Sequence, residues 1–280
     1  SQFEKGNSRL QVSETVVQGF VGTPLSGFLY AIAIYIPFIA NSLGFLVAAV
    51  LAASIPAKFL QDIRIEESEK VKPDFLAEMK FGIGYLYNEK ALLRLVLTTA
   101  SIGFCYSMSI STIVLFILQE LKLTPSLFGI ALAIQSSGAI IGALLAPKLS
   151  TKFGRSRVMA ICIFMSSLLI LLQGLSPNIY VYIALAFIAS FTITNWNILL
   201  MATYQSVIPG HLFGRIHGTR RTLVWGLMPF GSLLGGFIAK GGLRLPLLIG
   251  GAIATVIALL SLRFFLSVGK ETAIESGIDE

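Results

Sequence analysis

Eight runs of apolar residues, each close to the ~20 needed to cross a hydrocarbon core as a helix, recur along this chain: 12–32, 36–55, 92–118, 127–149, 158–175, 180–207, 222–239 and 245–266. Between the second and third runs the pattern breaks. Residues 57–94 hold fourteen of the thirty-five Asp, Glu, Lys and Arg side chains, so this stretch reads as a water-exposed linker between two groups of membrane helices. Its first part, KFLQDIRIEESEKVKPD from Lys58, mixes charges, has few large apolar residues and carries Pro73 near its end, which suits a solvated connection. From Phe75 the period changes. Phe75, Leu76, Met79, Gly82, Ile83 and Leu86 recur at spacings of three and four, with Glu78, Lys80, Glu89 and Lys90 mostly opposite. That spacing predicts an amphipathic helix, either lying along the membrane surface or packed on the loops beside it. The expected fold class is all-α, a polytopic membrane helix bundle with eight transmembrane helices.

Composition agrees. Hydrophobic residues make up 55% and charged ones 12%, with a mean hydropathy of +0.82, where a soluble domain has about a quarter of its residues charged. The net charge of +7 matters through its placement, and no nucleic-acid partner is expected. If the spans alternate in direction, one side carries Lys5, Arg9, the seven cations from Lys58 to Arg94, then Lys148, Lys152, Arg155, Arg157, Arg215, Arg220, Arg221, Arg263 and Lys270. The other side carries only Lys122, Lys240 and Arg244. This asymmetry predicts that the linker and both termini are cytoplasmic. Arg221 and Trp225 then lie near the cytoplasmic mouth as interfacial anchors.

Small residues punctuate the spans: Gly138 and Gly142, then Gly231, Gly235 and Gly236, then Gly250 and Gly251. Such spacing lets helices approach closely and says nothing of a particular activity. Cys105 and Cys162 fall inside apolar runs and read as small core residues rather than a disulfide or metal pair. No metal and no cofactor is expected.

An internal echo is present. Val17 and Val224, and Gly19 and Gly226, are 207 residues apart, and Pro37 and Pro246 are 209 apart. The first two spans therefore read as copies of the last two, displaced by six helices. A six-helix unit repeated twice needs twelve helices, and the counterpart of Leu92 would lie about 115 residues before Ser1. On this expectation the chain lacks its first four helices, encloses no complete cavity and cannot transport alone.

Enzyme signatures are missing: there is no HExxH, no GxSxG, no phosphate-cradling GxxxxGK[ST] and no acid pair within a span. Glu14 is the one acid in any of the eight runs, placed to couple protons or to pair with Arg9. Uncharged polar groups are the candidates for a substrate path, because burying them costs free energy unless a partner or water is present. They are Gln18, Thr98, Ser101, Tyr106, Gln135, Asn195, Trp196, Asn197 and Tyr204, with Ser107 also dotting the third run. Bonding to their own helix or to the next one is the structural alternative.

Several stretches resemble the major facilitator superfamily, within it the bacterial efflux branch that includes macrolide and enterobactin exporters. The resemblance covers nearly the whole chain. GNSRLQVSETVVQGFVGTPLSGFLYAIAIYIPFIANSLGFLVAAVLA is similar to the fifth and sixth helices of that branch. Gly19, Gly22, Pro24 and Gly27 match its Gly-Pro signature, while Thr23 and Phe28 stand where it has Gly. PKLSTKFGRSR resembles the family's cytoplasmic loop, with Lys152, Gly154, Arg155 and Arg157 in the matching places as a loop gate and Thr151 where the family has Asp. VIPGHLFGRIHGTRR also resembles the branch through Pro209 and Gly214-Arg215; its His211 and His217 lack metal-ligand spacing and read as loop residues.

The resemblance implies that the eight runs are helices five to twelve of a twelve-helix fold. Residues 1–56 would complete an amino-terminal bundle, 57–91 the linker, 92–268 a carboxyl-terminal six-helix bundle and 269–280 a cytoplasmic tail. It further implies a monomeric, multi-pass protein of the inner (plasma) membrane that exports drug-like or siderophore-like amphiphilic small molecules by alternating access. Coupling to protons is implied as well, through acids in the first half. Its central cavity would be bordered by the spans carrying the polar residues named above. Two further readings stay open: an eight-helix receptor or scaffold that does not transport, and a membrane-embedded enzyme acting on lipid.

Overall fold

The structure, a computed structural model, describes residues 35–54 and 75–275. Glu14, Gln18 and the signature residues Gly19, Gly22, Pro24 and Gly27 lie outside them, as does the solvated part of the linker. The described chain forms helices α1 (Ile36–Ala53), α2 (Phe75–Asn88), α3 (Lys90–Ile110), α4 (Pro125–Phe153), α5 (Arg155–Gly174), α6 (Ile179–Val207), α7 (Gly210–Ile238) and α8 (Leu245–Glu275). No strand occurs among the described residues. Six helices, α3 to α8, are long and apolar enough to cross a membrane; α1 carries a shorter apolar stretch, Phe38–Leu51. An all-helical membrane bundle is therefore what the apolar runs specify, because in hydrocarbon each helix satisfies its own backbone polar groups.

Three boundaries differ from the apolar runs. The run 92–118 is not one helix: α3 ends at Ile110, and after a turn the chain resumes as Ile113–Leu115 and a π-helical turn, Phe116–Glu120. Ser111 Oγ donates to the Met108 carbonyl at 2.9 Å and Ser109 Oγ to that of Cys105 at 2.8 Å, local bonds that compete with the helical ladder. Between α4 and α5 the segment read as a loop is helical up to Phe153, with Pro147 inside α4. Gly154 alone links the two helices, at φ 85°, a conformation that favours glycine. The segment read as a loop before the seventh run is also helical, since α7 starts at Gly210 rather than Thr222. His217, Arg215, Arg220 and Arg221 are thus helix residues. Their polarity hides the helix from a hydropathy reading.

Helix starts follow local chemistry. Pro125 occupies the first turn of α4, where its missing N–H costs nothing. Asn178 caps α6, its Oδ1 accepting from the Val181 N–H at 3.0 Å, which satisfies one of the orphan donors of a helix start.

Helix α2 packs against α7 and α3. Leu86 is buried in the main core, Gly82 sits against Thr219 so closely that a Cβ would collide with it, and the Arg215 guanidinium lies 4.3 Å from the Phe81 ring centroid. The amphipathic stretch is thus a helix packed on neighbouring helices, while Ile83 and Tyr87 remain exposed.

The bundle has an internal symmetry that the hydropathy pattern does not carry. The main contacts are α4 with α6, α6 with α5, α5 with α8, α8 with α3, and α3 with α7. Exchanging α3, α4 and α5 for α6, α7 and α8 maps this set onto itself, with the α5–α8 contact on the axis. Because each unit holds an odd number of spans, the two units have opposite directions, the arrangement of an inverted repeat. The glycines repeat it in detail. Gly138 and Gly142 of α4 press on the Phe187 and Phe191 carbonyls of α6, and Gly231 and Gly235 of α7 press on the Phe104 and Met108 carbonyls of α3. At the second crossing Ser107 Oγ also donates to the Met228 carbonyl at 2.7 Å and lies 2.6 Å from Ser232 Oγ.

Candidate functional site

One cavity in the bundle gathers polar groups from several helices. It has a volume of about 380 Å³ and is lined by the end of α3, the turn that follows, the first half of α4, the second half of α5, the first half of α6 and the start of α8. Its walls are mostly apolar, with Ile113, Ile117, Phe128, Ile170 and Leu247 among them; its polar groups are Tyr106, Gln135, Ser166, Gln173, Tyr182 and Ser190. None of the lining residues is charged. Ser166 Oγ donates to its own helix at the Ile163 carbonyl, 3.0 Å away.

The others differ from Ser166. Gln173, Tyr182 and Ser190 are 7%, 5% and 8% exposed, and no side-chain hydrogen bond to another described residue engages any of the three. Among the described residues the fully buried, unpartnered side-chain atoms are Asn195 Oδ1, the Tyr204 hydroxyl and Arg220 Nε, so the polar atoms of Gln173, Tyr182 and Ser190 open onto the cavity and are free to bond what enters it. The Tyr182 ring is held edge-on to Phe116, with centroids 5.9 Å apart.

A clamp braces one end of this cavity. Arg244, just before α8, donates from Nε to Glu120 at 2.7 Å and from an Nη to the Gly174 carbonyl at 3.1 Å and the Ser176 carbonyl at 2.9 Å. Its guanidinium lies 5.2 Å from the Phe116 ring centroid. The π-helical turn, the end of α5 and the start of α8 are thereby tied together, and the cation sits at the negative end of the α5 dipole. Substituting Arg244→Ala is expected to lower stability by about 1–2 kcal/mol, since two carbonyls lose a charged donor. Glu120→Gln is expected to cost under ~1 kcal/mol, because the pair is partly solvated. Thermal unfolding of the purified variants checks the order; equal losses would remove the carbonyl bonds from the explanation.

The residues expected to form a substrate path are spread over the bundle. Tyr106 and Gln135 line the cavity. Thr98 is half-buried on α3, whereas Ser101 and Asn197 are exposed. Asn195 is fully buried at the α4–α6 crossing, its Nδ2 donating to the Phe191 carbonyl at 2.8 Å while its Oδ1 finds no partner. Trp196 is 2% exposed and packs edge-to-face on Phe265, with ring centroids 5.0 Å apart. Tyr204 is buried under the Arg220 guanidinium, 4.1 Å from its ring centroid; the Tyr204 hydroxyl and the Arg220 Nε both lack hydrogen-bond partners.

At the α4–α5 turn Lys152, Gly154 and Arg157 are exposed. The Lys152 ammonium lies 5.2 Å from the Phe153 ring centroid, and Arg155 reaches Ser206 Oγ at 3.4 Å, bridging to the end of α6. Arg221 lies over Trp225, 4.1 Å from its ring centroid.

Sequence reasoning missed Ser166, Gln173, Tyr182 and Ser190. A signal existed in their spacing: seven residues separate Ser166 from Gln173 and eight separate Tyr182 from Ser190, so each pair shares a helix face. The Arg244–Glu120 clamp joins residues 124 apart and left no such signal.

The sequence model of the Major Facilitator Superfamily matches residues 95–280, from near the start of α3 to the end of the chain. The chain belongs to the major facilitator superfamily. No curated protein matches it. Members of this superfamily are membrane transporters, and the inverted repeat of α3–α5 and α6–α8 is the arrangement found within each six-helix half of such a transporter. In this major facilitator chain the braced cavity lies within a single six-helix unit.

Proposed function

We propose that the protein is a secondary exporter of amphiphilic small molecules working by alternating access, with α3 to α8 forming one of two bundles that rock against each other. The observation that carries this reading is the cavity of uncharged polar and aromatic groups, which suits a solute with both apolar surface and hydrogen-bonding groups. The orientation proposed places the α4–α5 turn and the α6–α7 junction in the cytoplasm, supported by Lys148, Lys152, Arg155, Arg157 and Arg215 at that end. On this reading the membrane is the inner (plasma) membrane, the working form is a monomer, and Lys152, Gly154, Arg155 and Arg157 act at the cytoplasmic gate.

The energy source proposed is the proton gradient. None of the six spans contains an Asp or Glu, so the proton carriers belong to other segments, and Glu14 is a candidate. The test is dye efflux from cells expressing the native gene product and preloaded with the uncharged amphiphilic dye Nile red. Faster loss of dye than from vector-only cells, abolished by a protonophore, is the expected result. Unchanged dye retention would overturn the exporter reading, and efflux indifferent to the protonophore would overturn the proton coupling.

A further inference from the structure

We infer that the cavity between α3, α4, α5 and α6 is a binding site for an uncharged, oxygen-bearing amphiphile, recognised by Gln173, Tyr182, Tyr106, Gln135 and Ser190. The inference deepens the exporter reading and rests on it for any flux, while the binding itself stands on the geometry. Gln173, Tyr182 and Ser190 are more than nine-tenths buried, line the same space and bond to no described side chain or carbonyl. Their polar atoms open onto the cavity and are not sealed off, so a solute that enters meets donors and acceptors that no described protein group engages. The cavity volume of about 380 Å³ falls in the ~300–1,000 Å³ range of small-molecule sites.

The charge of the ligand follows from the walls. No lining residue is ionisable to a charged form near neutral pH. The nearest charged device described above, Arg244 with Glu120, is internally paired and engaged by two carbonyls. An ion would leave its hydration shell without a counter-charge, which is strongly unfavourable in an apolar bundle. The two phenols and two carboxamides present donors as well as acceptors, so carbonyl, ether or hydroxyl oxygens on the ligand satisfy them. Ile113, Ile117, Phe128 and Ile170 cover its apolar faces.

Equilibrium binding of tritiated progesterone, a neutral carbonyl-bearing amphiphile, to the purified full chain in nanodiscs tests the assignment. Saturable binding is expected, displaced by unlabelled progesterone and not by the cation tetraphenylphosphonium at a hundredfold excess. The double variant Gln173→Leu, Tyr182→Phe is expected to raise the progesterone Kd by about tenfold or more, as for two lost hydrogen bonds. Its thermal midpoint should stay close to the parent's, because neither side chain gives up a hydrogen bond to a described residue; Tyr182→Phe alone keeps the ring against Phe116 if the double variant folds poorly. No saturable binding would mean that the cavity holds water only and would overturn the inference. Displacement by the cation, or an unchanged Kd in the variant, would overturn it too. Binding without dye efflux sinks the exporter reading and leaves the site; efflux without binding does the reverse.

Discussion

Gly142→Leu is expected to separate α4 from α6 and destabilise the bundle by about 3 kcal/mol or more. A Cβ at this position would lie 2.6 Å from the Phe191 carbonyl oxygen and 3.0 Å from the Asn195 amide nitrogen. The obstacle is backbone, which cannot rotate aside. One turn earlier, Gly138 meets the Phe187 carbonyl in the same way, so the crossing cannot pivot to relieve the clash. In lipid there is no compensating hydrophobic drive, because an acyl chain covers α4 as well as α6 does, and association rests on close packing. The inverted-repeat partner gives an independent replicate: Gly235→Leu, against the Met108 carbonyl and Ser111, should behave alike. Gly129 and Gly226 have open space where a side chain would go, and their leucine variants serve as controls expected to melt with the parent. Thermal unfolding followed by size-exclusion chromatography reads all four. A Gly142→Leu variant that melts with the controls would refute the close crossing.

Trp196→Ala is expected to cost ~3–5 kcal/mol, the range for removing a large aromatic from a packed core. Trp196 and Phe265 are each 2% exposed, and they meet at 85° between ring planes, an edge-to-face contact that adds to the area buried. The void would open between α6 and α8, farther along α6 than the cavity-lining Tyr182 and Ser190. Trp196 is also one of the residues proposed from sequence for a substrate path, and the two roles separate experimentally. A packing role predicts that Trp196→Phe retains most stability and leaves progesterone binding unchanged, while the alanine variant melts early. An alanine variant as stable as the parent but deficient in efflux would instead place Trp196 on the path.

Polar residues inside spans are a good guide to places where something must be satisfied, and a poor guide to what satisfies it. Asn195 illustrates this: its amide serves the α6 backbone at the crossing, whereas Gln173, which sequence gave no reason to prefer over other amides, opens onto the cavity. Tyr106 and Gln135 are cavity residues, but Tyr204, nominated on the same grounds, is sealed beneath Arg220. The helical start of α7 was illegible for a related reason. Arg215, His217, Arg220 and Arg221 lower its hydropathy, yet each finds a ring or neighbour on the helix or on α2 and α6 that makes the charged turn tenable in place.

From sequence alone, then, came the all-α membrane class and the approximate position of every described span, because twenty apolar residues in hydrocarbon can only close their backbone hydrogen bonds as helices. The cluster of cations around the α4–α5 turn was equally readable. Tertiary structure alone decided which face of each helix turns inward. A lipid-facing residue and a core-facing one are equally apolar, so the amphipathic period that marks the inner face of a soluble helix is silent here. Which glycines meet a carbonyl, which serine bonds the next helix and which amide is left facing an empty space are consequences of helix pairing. They follow from contacts between residues tens to more than a hundred positions apart, which no local pattern of residues encodes.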